Sequence, residues 1–137
     1  MELLYKIFDT LYEYFFIPNY EGVVIILYRK LDIDDDYSFG KGQECLTYGI
    51  YAVKQAIKTR LKLLKNEWWE NTDEGLPLFQ SILGKPGTNN HLSVADALIK
   101  ERIIGTQDVT SLEDFSSTYE NRSYSFSCNV NTKYGTT

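Results

Sequence analysis

The chain has 137 residues, of which 43% are apolar and 15% aromatic, a composition that supports one packed core and excludes global disorder. Its formal charge of -5 excludes nucleic acid as the main ligand, because phosphate binding requires a basic footprint. Two cysteines, Cys45 and Cys128, are not a disulfide framework and read as buried free thiols of a chain made in a reducing, cytosolic compartment.

Residues 2–16 read as an amphipathic helix. Leu4, Phe8, Leu11 and Phe15, with Ile7 and Tyr12 beside them, form an apolar stripe, while Glu2, Lys6, Asp9 and Glu13 lie off it. The acids and the missing basic n-region exclude a signal peptide, and no apolar run reaches membrane-spanning length. Two roles stand open for the stripe: packing on its own domain, or docking on a partner. Residues 1–22 are expected to be a helical extension and residues 23–137 a single domain.

Residues 23–27 are an apolar, β-branched run and predict a buried strand that continues through residues 28–34. Residues 34–42 read as a turn, and residues 43–48 as the returning strand. Residues 50–65 predict a helix, with Ile50, Val53, Ile57, Leu61 and Leu64 on one stripe. Lys54, Lys58, Lys62 and Lys65 make a second stripe, either a solvated face or a surface for an acidic neighbour.

After a tryptophan-bearing corner, a short helix is expected over residues 78–83, stopped by Gly84, Pro86 and Gly87. At least one of Trp68 and Trp69 is expected to be buried there. His91 is expected in a loop, Ser93 as the cap of the next helix, and Asp96 near its positive end. Gly105 is its natural stop. Residues 109–119 and 123–132 predict a hairpin turned at residues 120–122. Tyr124, Phe126, Cys128, Val130 and Thr132 alternate with Ser123, Ser125, Ser127, Asn129 and Asn131, which gives one buried face. The sum is an α+β fold, a small antiparallel or mixed sheet packed by two to three helices, with the amphipathic helix in front.

The chemical signals are weak. Glu67, Glu70, Asp73 and Glu74 can be read as a glycosidase pair beside the tryptophans, but acids in a polar turn are normally solvated. Asp32, Asp34 and Asp36 imitate the start of a calcium loop, yet Tyr37 and Gln43 stand where that loop needs glycine and glutamate. His91 is the single histidine, so a zinc site has no ligand set. Neither a nucleophile elbow nor a phosphate loop is present. No cofactor or metal is expected. What stands out is surface for other chains: the terminal aromatic stripe, the lysine stripe, and a C-terminal strand at a sheet edge, with Tyr124, Phe126, Val130 and Thr132 as its contacts.

An ordered set of motifs runs through residues 30–135: the acidic hairpin at residues 32–36; Gly49; Gln55, Ile57 and Leu61; Glu67, Trp68 and Trp69; Gly75, Leu76 and Pro77; Ile82, Leu83, Gly84 and Lys85; and Thr132, Tyr134 and Gly135. This series resembles the phage baseplate wedge family labelled "lysozyme-like", of the type found in Mu-like and defective Bacillus prophages. Two departures stand out: Asn66 replaces the usual glycine, and the Glu-Pro-Arg element of some distant members is missing near residues 105–109. The resemblance implies a structural part of the baseplate of a contractile phage tail or tailocin. Such a part joins wedge to hub or tube and, in distant members, starts the sheath by strand exchange. Its implied partners are other wedge proteins, hub and tube proteins and the sheath protein, with no nucleic acid or membrane. The enzymatic alternative is a peptidoglycan hydrolase.

Overall fold

A computed structural model describes residues 27–82, 89–121 and 123–137. The expected helix over residues 2–16, most of the run at residues 23–27 and the stop at Gly84 lie outside the described residues. The fold is α+β. Among the described residues it holds two helices and two small antiparallel sheets, of two and three strands. The chain divides into two compact units, residues 1–55 and 56–137.

In the first unit, β1 (Tyr28–Arg29) pairs antiparallel with β2 (Leu46–Thr47). Both strands are shorter than the sequence predicts. After β1 the backbone keeps one bridge, Leu31 to Tyr37, and then turns. The Asp32 carboxylate accepts the N–H of Asp34 (2.9 Å) and of Asp36 (3.1 Å), which ties the backbone into a loop in place of a ladder. Gly42–Cys45, of which residues 43–45 are expected as strand, is one turn of 3-10 helix, and Gly42 takes a positive φ of 57° at its start.

Helix α1 (Gly49–Lys62) begins where Gly49 turns at a φ of 64°. Gln55 explains its place in the motif series. Its side-chain carbonyl accepts the Leu31 N–H (3.0 Å) and its amide donates to the Arg29 carbonyl. The side chain thus serves as a partner strand for a backbone that would otherwise lack one. Leu27, Cys45, Ala52 and Val53 are the buried apolar residues of this unit among those described.

The second unit starts in the middle of α1. The helix stops at Lys62 and does not reach Lys65. Its neighbour residues pair elsewhere: Leu76 N–H donates to the Leu63 carbonyl (2.8 Å) and Lys65 N–H to the Leu76 carbonyl (2.9 Å). Asn66, at φ 74°, completes the break in the left-handed region that favours glycine. Gly75 is obligatory here. It sits at φ 109°, and a Cβ on it would lie 2.5 Å from the Leu64 carbonyl carbon and oxygen.

Leu78–Ile82 forms the expected short helix, as a single wide turn. Helix α2 (Asn89–Ile104) starts before Ser93, which is therefore an interior residue and no cap. His91 lies in this helix and not in a loop. The helix ends as expected before Gly105, whose N–H still reaches the Glu101 carbonyl (2.9 Å), and Thr106 Oγ1 donates to the Arg102 carbonyl (3.0 Å).

Strands β3 (Val109–Glu120), β4 (Ser123–Thr132) and β5 (Gly135–Thr136) form an antiparallel sheet in that order. The β3–β4 turn has Asn121 at φ 51°, and Arg122 of the expected turn lies outside the described residues. Leu76, Ile99, Ile103 and Val130 are the buried centre of the unit, and Ile57, Leu61, Leu64, Leu112, Phe115 and Cys128 are among the residues packed on them. Ile57, Leu61 and Leu64 of the predicted stripe and Tyr124, Cys128 and Val130 of the predicted alternation therefore meet in one core.

Candidate functional site

The C-terminal sheet is positioned by side chains that sequence periodicity does not single out. Asp96, in the interior of α2, takes hydrogen bonds from Tyr124 Oη (2.5 Å) and Ser117 Oγ (2.9 Å). It does not serve the helix's positive end, because the helix begins seven residues earlier, at Asn89. Burial, then the neighbouring Asp96 carboxylate, pushes the Tyr124 phenol above its ordinary pKa. One helical turn on, the Lys100 ammonium lies 4.3 Å from the centre of the Phe115 ring, which stacks on Phe126 at 5.6 Å. At the other end of the sheet, Asp108 accepts from Lys133 Nζ (2.8 Å) and raises that lysine's pKa. Thr132 Oγ1 donates to the Gly135 carbonyl (2.7 Å) and so fixes the turn into β5.

The two edges of β4 differ along its length. Val130 N–H and C=O both bond Thr137, at 2.8 Å each, so its backbone groups point away from β3. Backbone polarity alternates along a strand. Tyr124, Phe126 and Cys128 therefore aim their N–H and C=O at that same outer edge. The β5 pairing covers only Asn131 and Thr132, extended by the Val130–Thr137 bonds. Among the described residues, no strand pairs with the outer edge of β4 from Ser123 to Asn129. Side chains change in parallel. Val130 and Thr132 are buried, Cys128 and Tyr124 half-buried, and Phe126 is 37% exposed. Val130 and Thr132 thus belong to the core, while the row of Tyr124 and Phe126 emerges beside an open edge.

The other singled-out residues do not gather at this edge. Leu4, Phe8, Leu11 and Phe15 lie outside the described residues. Lys54, Lys58 and Lys62 are exposed on α1, whereas Lys65 lies past the helix end and pairs with Asp73 (3.3 Å). Neither tryptophan is buried: Trp68 is half-buried and Trp69 is 69% exposed. The expectation failed because the corner closes on its own backbone bonds, and Leu76 fills the core position beneath it. Pro77 follows, and its carbonyl accepts the Ser81 N–H (3.0 Å) in the wide turn.

Each of the four carboxylates weighed for catalysis has a partner within the fold. Glu67 accepts the Leu64 N–H (2.8 Å), Glu70 the Trp68 indole N–H (3.3 Å), and Asp73 pairs with Lys65. Glu74 is held by Arg102 Nη1 (2.6 Å) and Arg60 Nη2 (3.5 Å). Arg102 also donates to the Arg60 carbonyl (3.2 Å) and Arg60 to the Gly105 carbonyl, so this cluster clamps the ends of α1 and α2 to the corner. Nothing in the sequence announced it beyond the choice of arginine at both positions, whose fork can serve several acceptors at once.

The family model for contractile injection system sheath initiators matches residues 27–135. The chain belongs to that family. No curated protein matches it. As a sheath initiator it has a sheath-related structural role in a contractile injection system, the kind of machine found in phage and tailocin particles, and it works with other components of that machine. The match spans the whole motif series from the acidic hairpin to Gly135.

Proposed function

We propose that this sheath initiator sits in the baseplate, joins wedge to hub or tube, and starts the sheath by accepting a strand on the outer edge of β4. The observation that carries this reading is the outer edge of β4 from Ser123 to Asn129, which no strand pairs among the described residues, with Phe126 at its middle. Strand addition needs outward backbone donors and acceptors plus a face that selects side chains. Tyr124, Phe126 and Cys128 provide both. The partner strand alternates apolar residues over Phe126 with polar residues opposite Ser125 and Ser127. Partners are wedge, hub, tube and sheath proteins, assembled in the host cytoplasm, with residues 1–22 as an extension of a single domain over residues 23–137.

The role is non-enzymatic, with no cofactor, and the engagement of Glu67, Glu70, Asp73 and Glu74 within the fold supports that. The test compares Phe126→Pro with Phe126→Ala. Both lose the ring, but only proline removes an outward N–H, and it leaves the β3 ladder intact. Particles carrying Phe126→Pro are expected to assemble baseplates and extend little sheath, as counted in electron micrographs. Equal sheath growth in the two variants overturns strand addition at this edge.

A further inference from the structure

Residues 66–72 form a closed loop that presents an indole to solvent. The Asn66 N–H donates to the Thr72 carbonyl (3.1 Å), which shuts the neck. Inside it, Asn71 N–H reaches the Trp68 carbonyl (3.2 Å), and Glu67 N–H reaches the Leu64 carbonyl (3.1 Å). Glu67 also returns its carboxylate to the Leu64 N–H (2.8 Å), and Trp68 binds Glu70 through its indole N–H (3.3 Å). Trp68 is the half-buried base of this loop, and Trp69 is its tip, 69% exposed.

A loop braced in this way loses little conformational entropy when a partner closes on it, and tryptophan is the residue type most enriched among interface anchors. The fold gives Trp69 little burial. The exposed charges of the loop itself are acidic, Glu67 and Glu70, while Asp73 just beyond it pairs with Lys65 (3.3 Å). An acidic rim around an apolar tip selects a partner of the opposite arrangement.

We propose that residues 66–72 are a docking knob, with Trp69 seated in an apolar pocket rimmed by lysine or arginine on another component of the particle. The proposal rests on the family assignment and is independent of strand addition at β4. It gives the two tryptophans, which the sequence marks so strongly, a role that neither catalysis nor core packing supplies.

The test uses the full chain in assembled particles. Trp69→Ala is expected to keep the wild-type melting temperature and to fall about 30-fold or more in incorporation into purified particles. A photoreactive benzoylphenylalanine at position 69 is expected to crosslink, on irradiation of the particle, to one other component. The linked peptide is expected to hold apolar residues next to lysine or arginine. Incorporation within about twofold of wild type overturns the proposal, since an anchor residue carries more than that. So does a fall in melting temperature with Trp69→Ala, which assigns the indole to the fold. No crosslink, or one only to a second copy of this chain or to its own residues 1–26, also overturns it. Incorporation reads the knob and sheath growth reads the β4 edge, so either idea can fail without the other.

Discussion

One hairpin, β3–β4, does two kinds of work along its length. Near the β5 end, Val130 is 5% exposed, Leu112 faces it across the strands, and Ile103 of α2 lies against them with 1% exposure. Near the turn, Tyr119 and Phe126 are 38% and 37% exposed, and α2 contributes a carboxylate and an ammonium where the other half receives isoleucines. The same alternating pattern therefore yields a core at one end and a half-covered surface at the other. What differs is the helix above the strand: apolar residues at positions 99 and 103, charged ones at 96 and 100. Alternation shows that one face is covered, and only the facing element decides how well.

The largest effect separates these halves directly. Ile103→Ala is expected to destabilise the protein by about 2–5 kcal/mol, since a fully buried aliphatic side chain is truncated in a close-packed site. Phe126→Ala is expected to cost under about 2 kcal/mol despite the larger ring, because part of it is already in water. Urea denaturation of both variants measures the contrast, and equal losses break the distinction. Asp96→Ala comes next, at about 1–3 kcal/mol, because it orphans Tyr124 Oη and Ser117 Oγ together. Its signature is local: amide exchange is expected to speed up in residues 117–126 well before it does around Val130.

The α+β class, the hairpin, the stripe of α1 and the stop before Gly105 were legible because each depends on local periodicity or on a single backbone break. The short strands of the first unit were not. Asp32 captures two backbone N–H groups there, and that competition is invisible to an alternation count. Helix α2 was cut short because Ser93 is a good cap in isolation, while the chain already turns into helix at Asn89. Which residues of β4 aim at its outer edge, unpaired from Ser123 to Asn129 among the described residues, came only from the Val130–Thr137 bonds. At least one tryptophan is expected in the core because indoles usually are buried, and only the hydrogen-bonded loop shows that Trp69 is held outside it.

The smallest expected effect probes the half-covered end through pH. Tyr124 has its pKa raised in the fold, by burial first and by the Asp96 carboxylate second. The folded protein thus keeps this phenolic proton at a pH where the unfolded chain has released it. Below the ordinary tyrosine value, about 10, both states are protonated and the contribution to stability is fully present. As pH climbs past that value, the unfolded state binds fewer protons than the folded one, so stability falls with further rise. Burial also raises Tyr37 and Tyr134, and both add to the same slope. Tyr124→Phe removes one titrating proton and leaves those two in place, so its urea midpoint is expected to decline less steeply between pH 9.5 and 11.5. Parallel curves for wild type and variant would mean that the Tyr124–Asp96 contact is open to water, and that α2 leaves the turn half of the hairpin as free as its outer edge.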